Sequence, residues 1–413
     1  MRAPDQEPFI PVAKPCLDQR EAQAVGRVIL SGWVTQGPEV AAFEQEFAAH
    51  VGAKHACAVS SCTTALHLAL RAVGVQAGDE VITASHSFIA TANSIRYLGA
   101  TPVFVDIQPG TFNMDPNLVE EAVTQRTRAI LCVHQMGMPC DLEAILKIAA
   151  RRALPVIEDA ACATGSEICR GGAWERIGKP HSPIVCFSFH PRKVITTGDG
   201  GMLITSNPAW DRQFRLWRQH GMSVPDTVRH KTKQVIFESY DTLGYNYRMT
   251  DIQAATGREQ LKRLPEILVR RRFLADRYRQ LLEKIPEVTA PEEPSWARSN
   301  WQSYCVRLPK KCDQRRVMQF MLDKNIATRR GIMCAHRQKT YTIEPWSCAL
   351  RPITRSGVIP PSTSCGCPTS ACRKLSASED AEDHCILLPL YPQMRDSDQD
   401  RVVGTLRQAV SLA

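Results

Sequence analysis

The feature that most limits what this chain can fold into is an alternation of short apolar runs with helical stretches through its first half. Apolar runs at 56–60, 81–83, 102–106, 129–133, 155–159 and 184–188 read as strands. Helical patterns at 39–51, 65–73, 116–123 and 142–151 stand between or before them, opened by capping residues such as Asp141 or closed by Gly52 and Gly74. Strands that alternate with helices form a mostly parallel sheet covered by helices, an α/β fold. With 413 residues the chain can bury that core and a second domain as well.

Ligands of open α/β sheets bind beyond the carboxyl ends of strands. Three such ends carry chemistry here. Ser61-Cys62-Thr63-Thr64 joins a strand to a helix, where backbone N–H groups, the helix dipole and the hydroxyls of Thr63 and Thr64 suit a phosphate. The same residues also read as ordinary helix capping. Asp159 ends the strand at 155–159 and either caps 160–161 or pairs with a cationic ring nitrogen. The third end runs from Cys186 to Gly201. Ser188 closes its strand, Lys193 follows five residues later, and the glycines beyond allow close backbone approach to a ligand. Lys193 is either a surface lysine or a desolvated amine of lowered pKa that forms a Schiff base with a carbonyl compound.

The stretch around Lys193 resembles the cofactor-lysine segment of the DegT/DnrJ/EryC1/StrS family, pyridoxal-phosphate enzymes that are mostly aminotransferases acting on nucleotide-linked keto sugars. The match extends from about Ile10 to Arg407 and includes Gly244-Tyr245-Asn246-Tyr247-Arg248-Met249-Thr250-Asp251. It implies the aspartate-aminotransferase type of fold (PLP fold type I), with a mostly parallel mixed sheet in a large domain over 10–264. A smaller C-terminal α+β domain over 265–413 would follow, in a homodimer with shared sites. It also implies pyridoxal 5′-phosphate held by Lys193. Thr63, Thr64, Ser188 and the partner subunit's copy of Asn246 would hold its phosphate, Phe88 would stack on its ring and Asp159 would meet the ring nitrogen. Without the resemblance, Phe88 reads as a core aromatic. His336 and Arg248 are the implied substrate residues. The amino donor would be glutamate. Two departures stand out: Cys62 replaces a usual glycine, and Cys162 replaces the usual Gln or His near the cofactor's phenolic oxygen. A thiol is a weak donor there. A dehydratase of the same fold has His in place of the lysine, so Lys193 argues against it. A regulatory protein that binds the cofactor without turnover is a further alternative.

The first 15 residues contain no apolar signal segment, and no later run is long enough to span a bilayer, so the chain reads as cytoplasmic. Its 16 cysteines then read as reduced thiols. A net charge of +9 suits anionic substrates without requiring a polyanion. Asp251 should open a helix that Pro265 breaks, and a second helix should carry Arg270-Arg271-Arg272 as a solvated face, not a nucleic-acid surface. Residues 221–240 read as a mobile loop over the site. A Cys-rich insertion spans about 340–384. Its Cys348, Cys365, Cys367 and Cys372 lack a standard zinc spacing and read as loop thiols with no metal, although four thiolates can hold zinc.

Overall fold

The computed structural model describes residues 7–224, 232–349, 372 and 374–412. The alternating elements build one eight-stranded sheet. Its order is His55–Val59, Gly201–Thr205, Ile184–Ser188, Val156–Asp159, Thr127–Val133, Glu80–Ala84, Thr101–Val105 and Ser347–Cys348. All neighbours are parallel except the two pairs made by Gly201–Thr205. That strand returns from the lysine stretch with no intervening helix, so it runs against its neighbours. Glu80–Ala84, Val156–Asp159, Ile184–Ser188 and Gly201–Thr205 are buried along their whole length. Burial on both faces is why they read as continuous apolar runs.

The two faces carry separate cores. Along Thr127–Val133, Ile130 and Cys132 join Phe43, Phe47 and Ile145 on one side. Ala129 and Leu131 join Leu66, Leu68 and Trp217 on the other. A third core contains Tyr278, Tyr304, Val306 and Val402. It is built on an antiparallel sheet of Tyr304–Arg307, Cys385–Leu388 and Arg329–Arg330, with the helices Gln314–Asp323 and Asp396–Leu412. Ile10 also belongs to this core, held by its N–H to Asn325 O at 2.9 Å.

One helix, Asp251–Leu282, runs unbroken through Pro265. The expected break is absent because burial on both sides outweighs the proline. An interior proline costs about 3 kcal/mol and each buried leucine recovers about 1.5–3 kcal/mol. Leu261, Leu264 and Ile267 enter the first core, and Leu274, Tyr278 and Leu282 enter the third. The arginine run is not a solvated face either. Arg271 is buried with its guanidinium on Trp301 O at 2.9 Å, Arg270 binds Met394 O at 2.6 Å, and Arg272 binds Ser299 O at 3.2 Å. These three arginines fasten the long helix to the chain that follows it.

Within the insertion, Ser347–Cys348 adds an edge strand beside Thr101–Val105, and Ser376–His384 forms a helix. Cys365 and Cys367 lie outside the described residues, as do 225–231 of the expected loop. Among the described residues no three His, Cys, Asp or Glu side chains stand close enough to share a metal ion. No described helix is long and apolar enough to cross a membrane.

Candidate active site

Lys193 lies in a loop locked by its own backbone. Phe189 N–H donates to Gly200 O at 2.9 Å, Thr197 N–H to Phe189 O at 3.0 Å, and Lys193 N–H to His190 O at 2.8 Å. Gly198 takes φ 86°, a left-handed turn open to glycine at no steric cost. The loop brings Lys193 Nζ to 3.1 Å from Cys162 Sγ. Burial alone would push the ammonium down. The Cys162 sulfur and then the Asp159 charge outweigh it, so the amine is held above its ordinary value. The desolvation expected from the sequence is present, but the lowered pKa is not, because a sulfur and then a carboxylate favour the charged amine.

Asp159 ends Val156–Asp159 and is buried. Its Oδ2 accepts from Thr91 Oγ1 at 2.8 Å and its Oδ1 from Ala161 N–H at 3.2 Å. The capping role read from the sequence is therefore real, and one carboxylate performs it alongside the Thr91 contact. Burial raises the Asp159 pKa, and these hydrogen bonds only partly reverse that. Thr91 sits on the helix Ile89–Arg96 and is itself bonded to Ser87 Oγ at 2.8 Å. A threonine inside a helix has no signature, which is why sequence reasoning missed it. Phe88 immediately precedes that helix and is 62% exposed, so it is no core aromatic.

The helix Cys62–Ala72 starts at the same end of the sheet. Ser61 caps it, its Oγ accepting from Thr64 N–H at 3.2 Å, and Thr64 Oγ1 donates to Ser61 O at 2.7 Å. Thr64's hydroxyl is thus spent on the cap, while that of Thr63 makes no hydrogen bond among the described residues. Gly201 holds the turn closely; a Cβ there would stand 2.4 Å from Ser61 O and 2.7 Å from Cys62 N. Cys62 is buried, and burial followed by the Asp159 charge raises its thiol well above the ordinary value. Ser188, also buried, accepts from His190 N–H at 3.4 Å.

The Asn246 segment is anchored on both sides. Tyr245 and Tyr247 stack at 4.8 Å, Tyr247 O accepts from Ser60 N–H at 2.8 Å, and Tyr245 N–H donates to Trp217 O at 2.6 Å. Between them the Asn246 side chain is exposed, and the half-buried Arg248 makes no ion pair among the described residues. His336 differs from expectation. It is fully buried, with Nδ1 on Ser85 Oγ at 2.6 Å and Nε2 on Glu379 Oε1 at 3.0 Å, so both ring nitrogens are occupied within the protein and neither is left for substrate. Two further residues support the site without any motif. Asn300 Nδ2 donates to Cys162 O at 2.7 Å and Thr164 O at 2.9 Å, and Gln302 Nε2 donates to Arg192 O at 2.9 Å.

Residues 15–349 match the DegT/DnrJ/EryC1/StrS aminotransferase family. The chain belongs to this family. It is a pyridoxal-phosphate-dependent aminotransferase, and its mixed sheet is the fold of the solved members. It is 35% identical over 412 residues to the spore coat polysaccharide biosynthesis protein SpsC of Bacillus subtilis, covering 97% of each chain. Among solved structures it is similar to the aminotransferase TlmJ of Streptoalloteichus hindustanus, with 30% identity, 98% and 99% coverage and a TM-score of 0.83. DesV of S. venezuelae, solved with a ketimine intermediate, gives 31% identity, 98% and 99% coverage and a TM-score of 0.81. The aminotransferase site has room in its chemistry for the cofactor. Asp159 is a buried carboxylate with no cation within ion-pair distance among the described residues, which suits a protonated ring nitrogen. The Ser61–Thr64 turn offers an unspent hydroxyl at a helix start, which suits a phosphate.

Proposed function

We propose that this aminotransferase moves an amino group from glutamate to the keto group of a sugar carried on a nucleotide. The observation that carries the reading is the convergence of Lys193 and Asp159 about one thiol-lined site, with the Thr63 turn at the same end of the sheet. Bound pyridoxal phosphate supplies the electron sink that makes the donor's α-carbon acidic. Lys193 is the amine in the cluster, in contact with Cys162, and is the attachment point. Once released, its Nζ takes the proton from the donor's α-carbon and later returns one to the substrate. Asp159 holds the ring nitrogen in its cationic form. Thr63, Ser188 and an Asn246 from a second subunit hold the phosphate, Thr64 being spent on the helix cap, and Phe88 covers the ring face. The two-domain division at Pro265 belongs to the same reading, with the long helix as the joint. SpsC acts in spore coat polysaccharide biosynthesis, which supports a sugar acceptor for this chain too.

The test is the absorption spectrum of the purified protein before and after glutamate, with Lys193→Ala beside it. The expected result is a lysine-linked cofactor band that glutamate converts, and a variant whose amino transfer falls by at least about 1000-fold. Conversion by Lys193→Ala without added amines sinks the assigned role. A wild-type band untouched by glutamate overturns the choice of donor.

A further inference from the structure

The sulfur of Cys162 lies 3.1 Å from the Nζ of Lys193, and the backbone is pinned on both sides of this contact. Cys162 O accepts from Asn300 Nδ2 at 2.7 Å, the Ala163 N–H donates to Ala160 O at 2.9 Å, and the Lys193 N–H donates to His190 O at 2.8 Å. Small solutes can reach the pair. Cys16, Cys162 and Cys169 are half-buried whereas the other described cysteines are buried, and Lys193 is half-buried too. Cys16 provides the contrast. Its sulfur touches Arg263 Nη2 at the same 3.1 Å, but a guanidinium stays charged and has no lone pair to offer. Lys193 differs. Burial, the largest influence on it, favours the neutral amine, and the Cys162 sulfur and then the Asp159 charge oppose burial. Oxidation of that sulfur to a neutral sulfenic acid removes the nearest opposing charge. It leaves a nucleophilic amine against an electrophilic sulfur.

We propose that Cys162 and Lys193 form a peroxide-driven modification site, at which the oxidised sulfur bonds to Nζ and withdraws the amine from its cofactor. The Cys162 thiolate attacks one oxygen of hydrogen peroxide, the O–O bond breaks, and hydroxide leaves and takes up the thiol proton as water. The Lys193 lone pair then attacks sulfur, the S–O bond breaks, and a second water leaves with one amine proton. Sulfur gives up an electron pair to peroxide, and each side chain loses one hydrogen as the S–N bond forms. Atoms already held in contact make this second step intramolecular, which favours it over capture by a distant thiol. A dithiol reduces the S–N bond and restores both side chains. The link stands on the geometry alone, whereas the withdrawal of the amine rests on the aminotransferase reading.

The cofactor-free full chain is treated with hydrogen peroxide, digested with trypsin and mapped by tandem mass spectrometry for wild type, Cys162→Ser and Cys169→Ser. The expected result is a Cys162 peptide joined to a Lys193 peptide, lighter by one H2 unit than the separate pair, with cleavage after Lys193 lost. The joined pair should vanish in Cys162→Ser, persist in Cys169→Ser and disappear on treatment with dithiothreitol. Pyridoxal phosphate added after oxidation should give a lysine-linked band reduced in proportion to the joined fraction and restored by dithiothreitol. Cys162 that ends as a sulfinic acid, or in a disulfide with a cysteine such as Cys62, while trypsin still cuts after Lys193, overturns the site. A joined protein that still takes up the cofactor in full overturns the withdrawal of the amine. Untreated wild type that gives no band with pyridoxal phosphate would instead count against the aminotransferase reading and leave the link standing.

Discussion

Asp159, in the role proposed for it, serves the reaction at the expense of the chain that carries it. Burial raises its pKa, so the charged form is disfavoured in the folded protein relative to the unfolded one. The sign follows directly. A carboxyl with a raised folded pKa contributes stability while protonated, below its unfolded value, and loses that contribution as pH rises through the folded value. At neutral pH burial of this group therefore costs the cofactor-free protein stability. Asp159→Asn should raise the thermal midpoint of the cofactor-free protein at pH 7, by about 1 °C for each kcal/mol recovered in a chain of 413 residues. The gain should vanish in acid below the ordinary carboxylate range, where both side chains are neutral. Amino transfer by the same variant should fall by about 100-fold or more, since a neutral amide cannot hold the ring nitrogen cationic. A variant that loses activity with no gain in midpoint at pH 7 would refute this electrostatic account. At this scale the sequence was legible where strand ends and spacing carry the information: Asp159 does end a buried strand, and Lys193 does lie in the loop beyond Ser188. It was silent on Thr91, Asn300 and Gln302, which act through hydrogen bonds made only in three dimensions. His336 shows the converse: a short local match identifies a histidine but not what occupies its two nitrogens.

Among the elements, two glycines make opposite predictions. At Gly201 an added Cβ would meet the Ser61–Cys62 peptide, which is backbone and cannot step aside. Gly201→Ala should destabilise by about 1–3 kcal/mol and displace the helix start to which the proposed function gives the phosphate, weakening cofactor binding. Gly26 lies inside the helix Gln19–Ser31 with nothing within 4 Å of the position its Cβ would take. Gly26→Ala should stabilise by about 0.5–1 kcal/mol and leave cofactor binding unchanged. Urea unfolding with an unchanged slope reads both effects on one scale. If Gly201→Ala is neutral, the close approach of strand to helix has no bearing on the site. The elements themselves were readable because local periodicity decides them. Pro265 and Arg270 to Arg272 were misread because tertiary burial on both sides of the proline, and carbonyls supplied from distant residues, override what local pattern implies. The edge strand Ser347–Cys348 is too short for any pattern to mark.

For the molecule as a whole, the decisive matter is that one chain displays, without engaging them, groups that the proposed function assigns to the site. Phe88 is exposed, the Thr63 hydroxyl has no hydrogen bond among the described residues, and Asn246 stands exposed between two anchored tyrosines. The reading proposed here gives Asn246 to the site of a second subunit, and a mixing experiment decides it. Lys193→Ala and Asn246→Ala are each prepared as inactive proteins and then co-expressed. In a hybrid dimer with Asn246 acting across the interface, one site combines the intact Lys193 of one subunit with the intact Asn246 of the other. The second site then lacks both. With statistical pairing half the dimers are hybrids, each with one working site of two, so activity should return to about a quarter of wild type. If Asn246 served its own subunit, each hybrid site would keep one defect and no activity would return. Recovery near one quarter therefore requires both a dimer and a shared site. Hybrids that form in the expected proportion yet remain inactive would remove Asn246 from the neighbouring site.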